Sequence, residues 1–390
     1  MRTDIRNDPS RFYDRLLAAG VYRSQVGPWL VGRYEEAFAA THDEQWSRDP
    51  SKLGRQSVTP DGQINYLDMS MLNRDPPEHT RLRRMVQKAF VPSAVARQRE
   101  EIRGVVQELL GDLSAGEFDF YRDFAAQIPL VVICKMLGVP TERRDDFARW
   151  GHAAVARTEP THDAGDLDEV RRLNAECVEF FSALVETKLR DPGDDLISML
   201  VADDSDGRAG ADDVISMSIL LHVAGHETTA NLLANGMFNL LTHPDQYDLL
   251  CTSPENVVSA VEEMLRYDSP ARNTTVRYAL EPFTWAGHEI VPGDQLFVVL
   301  AAANRDPGVF DDPHRFDITR PNNRHLSFGS GIHHCIGAAL ARLEATVVFE
   351  ELIANFGRLE LLDGGAEWRD SFVIRGLDKL NVRWSETVAV

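Results

Sequence analysis

The segment Phe328-Gly329-Ser330-Gly331-Ile332-His333-His334-Cys335-Ile336-Gly337 decides how this 390-residue sequence is interpreted. Two glycines and a serine predict a tight turn that brings the backbone close to something flat or bulky. Cys335 then lies at the N-terminal end of a predicted helix that starts near Ile336 and runs towards Ala354. A helix N-terminus stabilises a thiolate. Backbone N–H groups can donate hydrogen bonds to the sulfur, and Gly337 leaves room beside it. A thiolate metal ligand requires this combination.

Cys335 taken alone permits two other interpretations. A cysteine beside glycine is more often a small buried core residue than a ligand. The run His333-His334-Cys335 also contains zinc-ligand types, but zinc requires three or four ligands, and no partner cluster with ligand spacing occurs in the sequence. Cys134, Cys177 and Cys251 show no CxxC-type spacing, so we do not expect a structural zinc site made of cysteines.

The complete pattern Phe-Gly-x-Gly-x-His-x-Cys-x-Gly favours the ligand interpretation because it is long and specific. It resembles the haem-binding loop of the cytochrome P-450 family, the haem-thiolate monooxygenases that bind haem b (iron protoporphyrin IX). The resemblance implies that Cys335 is the axial iron ligand, that Phe328 packs against the ligand loop, and that His333 donates to a haem propionate. It also implies the family's fold, which is mostly α with a small β part, as one triangular-prism domain enclosing haem.

A second motif lies in the middle of a long predicted helix, Asp212–Leu241, which is apolar nearly all round and should therefore be buried. Its centre, Ala224-Gly225-His226-Glu227-Thr228-Thr229, contains a carboxylate and two hydroxyls, which are costly to bury unless they are used. The Thr228 hydroxyl can bond back to the carbonyl of Ala224 and loosen the helix. The alternative is a polar patch bonded to neighbouring helices. The segment is similar to the family's oxygen-binding helix, which implies that Glu227 and Thr228 deliver protons during oxygen activation.

Glu263 and Arg266 are three residues apart, so they share a helix face and can form an ion pair. On an exposed helix such a pair is common and contributes little to stability. Here the two residues look like the family's Glu-x-x-Arg motif, with Arg315 as the expected third member. The resemblance implies a structural network that fixes the loop carrying Cys335 and does not touch substrate.

Two haem propionates require cations, because burying carboxylates without partners is expensive. His79 and Arg83 are one helical turn apart on one face, and Arg277 lies in a predicted strand, Thr275–Leu280. Locally, the helical pattern is more typical of an ordinary charged surface. Both segments resemble the family, which implies that His79, Arg83, Arg277 and His333 hold the propionates.

The composition bounds the class of protein, with 43% apolar residues, 26% charged residues and a formal net charge of −20. It excludes a disordered chain, a collagen-like fibre and a disulfide scaffold. The acid excess argues against nucleic acid as a partner. The sequence offers neither a secretory signal nor the roughly 20 uninterrupted apolar residues of a membrane span. We therefore expect a cytoplasmic protein that does not interact with membranes.

The organisation along the chain is that of one domain, residues 1–390. We expect a helix-rich part, 1–270, followed by a part with strands and the haem loop, 271–390. A long irregular stretch from about Asn304 to Gly331 is expected to be functional, because ordered loops of this length are uncommon. The remaining predicted elements are the helices Thr80–Phe90, Phe118–Leu137 and Leu167–Arg190, the strand Gln295–Leu300, and a turn at Ala286-Gly287.

The reaction that the resemblance implies is insertion of one oxygen atom of O2 into an organic small molecule, while the other atom leaves as water. The chain has no flavin or iron–sulfur module, so electrons must come from other proteins. By similarity to soluble bacterial members, these are a ferredoxin and its NAD(P)H-dependent reductase. Arg81, Arg84 and Lys88 are a candidate basic patch for an acidic redox partner, and a solvated helix face is the alternative.

The expected substrate is a medium-to-large natural-product intermediate of secondary metabolism, which would be hydroxylated or epoxidised. Arg272 and Asn273 are polar for the edge of a pocket, so we hypothesise a substrate with hydroxyl, carboxylate or carbonyl groups. Two alternatives are a peroxide-driven haem-thiolate enzyme and a non-catalytic haem sensor or carrier. The acid–alcohol pair Glu227-Thr228 argues against both, because neither function needs a proton relay of this kind.

Overall fold

The computed structural model describes residues 3–55, 57, 64–113, 116–156, 166–202 and 209–384. Its α-helices are α1 Thr3–Asn7, α2 Ser10–Ala19, α3 Tyr34–His42, α4 Tyr66–Met69, α5 Glu78–Gln87, α6 Pro92–Ala96, α7 Arg99–Asp112, α8 Gln127–Leu137, α9 Arg144–Ala156, α10 Asp166–Arg190, α11 Leu196–Ala202, α12 Ala211–Thr242, α13 Pro244–Thr252, α14 Val257–Tyr267, α15 Leu300–Ala303 and α16 Ala338–Asn355. Its strands are β1 Val21–Arg23, β2 Trp29–Val31, β3 Trp46–Ser47, β4 Gly116–Asp119, β5 Arg277–Ala279, β6 Phe283–Trp285, β7 His288–Ile290, β8 Gln295–Val298, β9 Glu360–Trp368 and β10 Leu377–Trp384. The prediction of a mostly α fold with a small β part is confirmed.

The strands form three small sheets that join distant parts of the chain. The largest has the order β1-β2-β8-β5-β3 and combines strands from before and after residue 270. Within it β2 and β8 are parallel, with Trp29 opposite Leu296, and the other pairs are antiparallel. A second sheet has the order β4-β10-β9, and β6 and β7 form a hairpin. The hairpin turns at the predicted Ala286-Gly287, where both residues have positive φ.

Helix α12 is the centre of the fold. It has 32 residues, which corresponds to about 48 Å, and it packs against α4, α8, α9, α10, α14 and α16. Asp213 accepts a hydrogen bond from the Gly210 N–H at its start. Gly236 allows close approach of α14 and α16, since a Cβ there would lie 2.6 Å from Met264 Sδ and 3.1 Å from Phe349 Cζ. The predicted helix Asp212–Leu241 therefore matches α12 to within one residue at each end.

The predicted helix Phe118–Leu137 is wrong in its first half. The chain instead forms β4, a π-helical segment Phe120–Ala125, and then α8. Asp119 causes the change, because its backbone pairs with Asn381 of β10 while its carboxylate accepts hydrogen bonds from the Tyr121 and Arg122 N–H groups. Such a side-chain cap begins a new helical segment rather than continuing one.

The other predicted elements occur close to their expected positions. The helix Thr80–Phe90 is observed as α5 followed by a 3₁₀ turn, Lys88–Phe90. The helix Leu167–Arg190 corresponds to α10, and the helix after Cys335 corresponds to α16. The strands Thr275–Leu280 and Gln295–Leu300 are observed in shorter form as β5 and β8. None of the helices in the described part of the chain is both long enough and apolar enough to cross a membrane.

Candidate functional site

The loop before α16 positions the Cys335 thiol. Gly329 and Gly331 have φ of 67° and 70°, in the left-handed region that glycine tolerates. The Cys335 N–H donates to the carbonyl of Phe328 over 2.9 Å, and the Gly337 N–H donates to the thiol. The side chain is accessible, yet protein atoms surround it closely enough that burial raises the pKa of the Cys335 thiol. The sulfur is therefore presented just before the N-terminus of α16.

Phe328 supports this loop as the sequence predicts. The guanidinium of Arg342, on α16, lies 4.5 Å from the centre of the Phe328 ring. Arg342 also binds Glu262 of α14 through two contacts of 2.6 and 3.0 Å, and His325 Nε2 lies 3.1 Å from the same carboxylate. Burial raises the pKa of Glu262, but His325 and Arg342 outweigh it and lower the pKa to about 2. The ring is thus held between the loop and two helices.

The predicted ion pair on α14 exists, but its third member differs from the prediction. Arg266 binds Glu263 through two contacts of 2.8 Å, and both side chains are completely buried. Arg320, and not Arg315, completes the network, with its Nε 3.1 Å from Glu263 Oε2. The side chain of Arg315 is 63% exposed and lies 3.8 Å from Asp317. Arg315 contributes only its backbone carbonyl, which accepts hydrogen bonds from Arg266 and Arg320.

The long irregular stretch 304–331 is fixed by this network. Arg266 donates from Nη1 to the carbonyls of Asn304 and Pro313, each at 2.9 Å. Asn304 in turn donates to Ser327 Oγ and accepts from the Leu326 N–H. Hydrogen bonds from Arg266 to backbone carbonyls, and those of the Asn304 side chain, hold the stretch that precedes the Cys335 loop.

The four residues predicted to hold propionates lie in one cluster. The rings of His79 and His333 are 4.4 Å apart, centroid to centroid. Arg277 reaches the carbonyls of Trp46 and Thr41, both at 3.4 Å. Burial lowers the pKa of His333, and the neighbouring charges that lower it further belong to Arg48, His79, Arg277 and Arg83. The structure therefore brings together groups from α5, β5, the Cys335 loop and the segment after β3.

Arg48 is the member of this cation cluster that sequence analysis missed. Its residue is 5% exposed, and burial together with Arg277 lowers the pKa of its guanidinium to about 9, although Asp75 opposes this. Asp75 cannot neutralise the cluster, because it already accepts from Ser47 Oγ, the Arg48 N–H and Lys52 Nζ. No local signal marks Arg48, which lies in the run Trp46-Ser47-Arg48-Asp49-Pro50 and 229 positions before Arg277.

The predicted back-bond in the middle of α12 is present. Thr228 Oγ1 donates to the carbonyl of Ala224 over 2.7 Å. Ala224 is exposed and Thr228 half-buried, although the flanking turns of the helix are buried. Thr229 is only 4% exposed, so its side chain faces the protein. The small side chains at this point therefore leave an accessible notch in a helix that is otherwise buried.

Glu227 occupies a different environment from its neighbour Thr228. It is completely buried, with Oε2 2.9 Å from Arg369 Nη1 and Oε1 2.7 Å from His152 Nδ1. Burial raises the pKa of Glu227, but His152 and Arg369 outweigh it and hold the pKa well below its usual range. Arg369 is itself bound to Asp378 of β10 and to the Tyr121 hydroxyl. Sequence analysis missed His152 and Arg369, because no local pattern connects them to residue 227.

Comparison with known proteins agrees with this geometry. The family model described as Cytochrome P450 matches residues 256–370. The polyketide biosynthesis cytochrome P450 PksS of Bacillus subtilis (strain 168) is 37% identical over 92% of this chain and 89% of its own length. The 6-deoxyerythronolide B hydroxylase of Saccharopolyspora erythraea is 40% identical over 91% of this chain and 90% of its own. This chain belongs to the cytochrome P450 family.

Solved cytochrome P450 structures superpose on it closely. The tirandamycin C-bound P450 monooxygenase TamI gives a TM-score of 0.88 at 36% identity, covering 99% of both chains. The predicted family and fold are therefore confirmed, and the protein is a haem-thiolate monooxygenase with haem b as its cofactor.

The residues of this cytochrome P450 fit that cofactor. Both ring nitrogens of His79, Nε2 of His333, and Nε of Arg48 and of Arg277 are buried without a hydrogen-bond partner among the described residues. Leaving such groups unpaired is costly, and charge-assisted hydrogen bonds to carboxylates would satisfy them. The two propionates of haem b would satisfy these groups, so His79, Arg48, Arg277 and His333 would hold them.

The two residues hypothesised to contact a polar substrate also bond to the protein backbone. Arg272 is 1% exposed and donates from Nη1 to the carbonyl of Ser371 over 3.1 Å. Asn273 donates from Nδ2 to the carbonyl of Phe372 over 2.8 Å. These hydrogen bonds hold the segment before β10. The hypothesis that the two side chains also select a polar substrate stays a prediction.

Proposed function

We propose that this cytochrome P450 hydroxylates or epoxidises a medium-to-large natural-product intermediate, using electrons from a ferredoxin and its NAD(P)H-dependent reductase. The observation that carries the proposal is the 37–40% identity, over more than 90% of the chain, to relatives named for polyketide biosynthesis and for hydroxylation of 6-deoxyerythronolide B. The solved relative TamI, with tirandamycin C bound, supports the same class of substrate.

In this proposal Cys335 would bind the haem iron through its thiolate. The Gly337 N–H and the positive charges of Arg83 and Arg342 oppose the effect of burial on the thiol and so favour its ionised form. The side chains of His79, Arg83, Arg277 and His333 hold the two propionates. The haem, when bound, supplies the activation of O2, and its thiolate ligand favours O–O cleavage.

Thr228 and Glu227 are assigned to proton delivery. The Thr228 hydroxyl donates to the Ala224 carbonyl, which leaves its oxygen lone pairs directed to accept a proton or a hydrogen bond in the notch. Glu227 is adjacent in sequence and is held ionised by His152 and Arg369. In this assignment the Glu227 carboxylate accepts protons, and the accessible Thr228 hydroxyl passes them on in the notch.

Arg84 and Lys88 carry the exposed part of the predicted docking patch. Both side chains are exposed on the last turn of α5 and the 3₁₀ turn after it. Arg81 is engaged elsewhere, because two of its nitrogens lie 2.9 Å from the Asp213 carboxylate and it also binds Glu78. We assign the ferredoxin contact to Arg84 and Lys88 because their side chains are exposed, and an acidic partner that meets them gains in association rate.

The purified protein tests both parts of this proposal. The reduced protein with carbon monoxide should show the Soret band of a thiolate-ligated haem, and Cys335→Ala should lose it, while Cys251→Ala should not. A panel of macrolide, terpenoid and peptide natural products is then assayed with NADPH, ferredoxin and reductase, and separately with hydrogen peroxide. Turnover only with NADPH supports the proposal. Turnover only with peroxide, or binding without turnover, would replace it by one of the two alternatives.

A further inference from the structure

A pair of tryptophans connects the strand beside the cation cluster to the protein surface. Trp46 lies in β3, its carbonyl accepts a hydrogen bond from Arg277 Nη1 over 3.4 Å, and Arg48 follows two residues later. The rings of Trp46 and Trp285 are in edge-to-face contact, with their centroids 5.6 Å apart and their planes at 84°. Trp46 is 2% exposed, whereas Trp285, in the β6–β7 hairpin, is half-buried. The two rings therefore lead from β3 to solvent.

Oxygen activation in the absence of substrate leaves an oxidising equivalent at the haem site, with no C–H bond to consume it. The indole ring is one of the side-chain groups that lose an electron most readily. We propose that Trp46 and Trp285 carry this equivalent from the haem site to the surface, where a small reductant such as ascorbate or a thiol discharges it. This function is separate from substrate oxidation, because it needs bound haem but no particular substrate.

The different burial of the two rings sets the direction of electron flow. Trp46 Nε1 is buried without a hydrogen-bond partner among the described residues, so oxidised Trp46 has no acceptor for its N–H proton. It remains a radical cation, and a charge in a site without water is costly. Trp285 is partly in contact with water, which stabilises the charge and takes the N–H proton. An electron therefore moves from Trp285 to Trp46, and the oxidising equivalent moves outward.

Each step of this discharge balances in electrons and protons. One electron leaves Trp46 for the haem site, and one electron from Trp285 restores Trp46. The indole N–H bond of Trp285 breaks, its proton goes to water, and a neutral indolyl radical remains. Ascorbate or a thiol then gives Trp285 a hydrogen atom, which restores the N–H bond and leaves the reductant oxidised by one electron.

Two neighbouring rings do not provide the same route. Phe283 contacts Trp46 with ring centroids 5.2 Å apart, but a phenyl ring is too difficult to oxidise to take part. Tyr278, in β5, must lose its phenolic proton when it is oxidised, and burial raises its pKa. Its hydroxyl lies 3.5 Å from Arg55 Nη1, and a guanidinium cannot accept the proton. Of the described rings in contact with Trp46, Trp285 alone is both oxidisable and partly hydrated.

Treatment of the substrate-free holoprotein with hydrogen peroxide tests the inference. Peptide mass spectrometry measures the oxygen incorporated into Trp285, and electron paramagnetic resonance of freeze-quenched samples with ring-deuterated tryptophan identifies the radical. We expect both signals in the wild type, their suppression by ascorbate, and their loss in Trp46→Phe. Trp384→Phe is the matched control and should behave as the wild type. Trp384 is also half-buried, but it belongs to the β4-β10-β9 sheet and packs on Phe356, with ring centroids 4.3 Å apart.

A second variant, Trp285→Phe, changes only the half-buried ring and leaves Trp46 in place. It should lower the rate of peroxide-dependent ascorbate oxidation, while the Soret band of the reduced carbon monoxide complex stays that of the wild type. An unchanged rate in this variant would overturn the inference.

Three results of the mass spectrometry would also overturn it. These are no oxidation of Trp285 in the wild type, equal oxidation of Trp285 in Trp46→Phe and the wild type, and oxidation of Trp384 as strong as that of Trp285, which would indicate direct attack from solution. Failure of the proposed function is recognised separately, as absence of product from every natural product tested, and it leaves these substrate-free measurements unaffected.

Discussion

Arg320 Nε lies 3.1 Å from Glu263 Oε2, so the chain that leads into the Cys335 loop is bound directly to helix α14. The Arg320 side chain is only 8% exposed and that of Glu263 not at all. Removing one partner of a buried ionic network leaves a charge without full compensation, which is more costly than losing an exposed pair.

Arg320→Ala should therefore destabilise the protein far more than Arg315→Ala. We expect a loss of about 2–3 kcal/mol for Arg320→Ala, because Arg266 still compensates part of the Glu263 charge, and less than about 0.5 kcal/mol for Arg315→Ala. Urea unfolding of the two variants measures the difference. Equal losses would show that the exposed arginine, as sequence analysis expected, is the true third member.

Arg48→Gln should weaken retention of haem. A charge-assisted hydrogen bond from a buried guanidinium contributes about 1.5–3 kcal/mol, which corresponds to roughly ten- to hundredfold in affinity. Lys52→Gln is the control, since Lys52 is a nearby cation that is 42% exposed and bound to Asp75. The rate of haem transfer to an excess of apomyoglobin reports the affinity. Equal rates in the Arg48 variant and the wild type would remove Arg48 from the propionate site.

Thr228→Ala should separate NADPH consumption from product formation. Without the hydroxyl, protons reach the reacting oxygen by a less controlled route, and reducing equivalents are lost as hydrogen peroxide. We expect the product-to-NADPH ratio to fall by about tenfold or more, while Thr228→Ser retains most of it. Peroxide and product are quantified together in the same reaction. An unchanged ratio in Thr228→Ala would show that the proton-relay assignment is wrong.

Glu344 should make stability fall as pH rises. This α16 residue is 2% exposed, its Oε2 has no partner among the described residues, and burial raises its pKa from 4.5 to about 8. Between these pKa values the folded state holds a proton that the unfolded state has lost. The free energy of unfolding therefore falls, by on the order of a few kcal/mol, as pH increases through this range. Glu344→Gln removes the effect and should be more stable than the wild type at the upper end.

Urea unfolding between about pH 5 and pH 8 tests this prediction. The stability difference between Glu344→Gln and the wild type should grow steadily with pH. Glu351→Gln, on the same helix, is the control, because Glu351 lies 3.0 Å from Arg103 Nε and has an ionic partner in the folded state. If the stability difference between Glu344→Gln and the wild type stays constant across pH, the Glu344 carboxyl group of the wild type is not held neutral.

The elements that were predicted well are those that depend on a pattern among residues close together in the sequence. The apolar periodicity of α12 and the spacing of the Cys335 loop depend on neighbouring residues, and the back-bond from Thr228 to Ala224 follows from helix geometry alone. The family resemblance added His79 and Arg277, which no local pattern connects to Cys335. The structure brings them into one cluster.

The parts that were missed depend on tertiary structure. Which arginine meets Glu263 depends on the path of the loop, which leaves the Arg315 carbonyl bound to Arg266 and the Arg315 side chain 63% exposed, while the Arg320 side chain is 8% exposed. The contact of Glu227 with Arg369 joins residues 142 positions apart. The helix expected at Phe118 gives way to β4 because β10, near the end of the chain, pairs with it.

The parallel pairing of Trp29 with Leu296 has a consequence for biosynthesis. The hairpin β1–β2 leaves the ribosome well before its partner strand β8, because Gln295 lies more than 260 residues after Val31. Until then one edge of β2 stays open, and an open strand edge invites association with other chains. Nascent chains of this protein should therefore depend on chaperones mainly in the interval before β8 emerges.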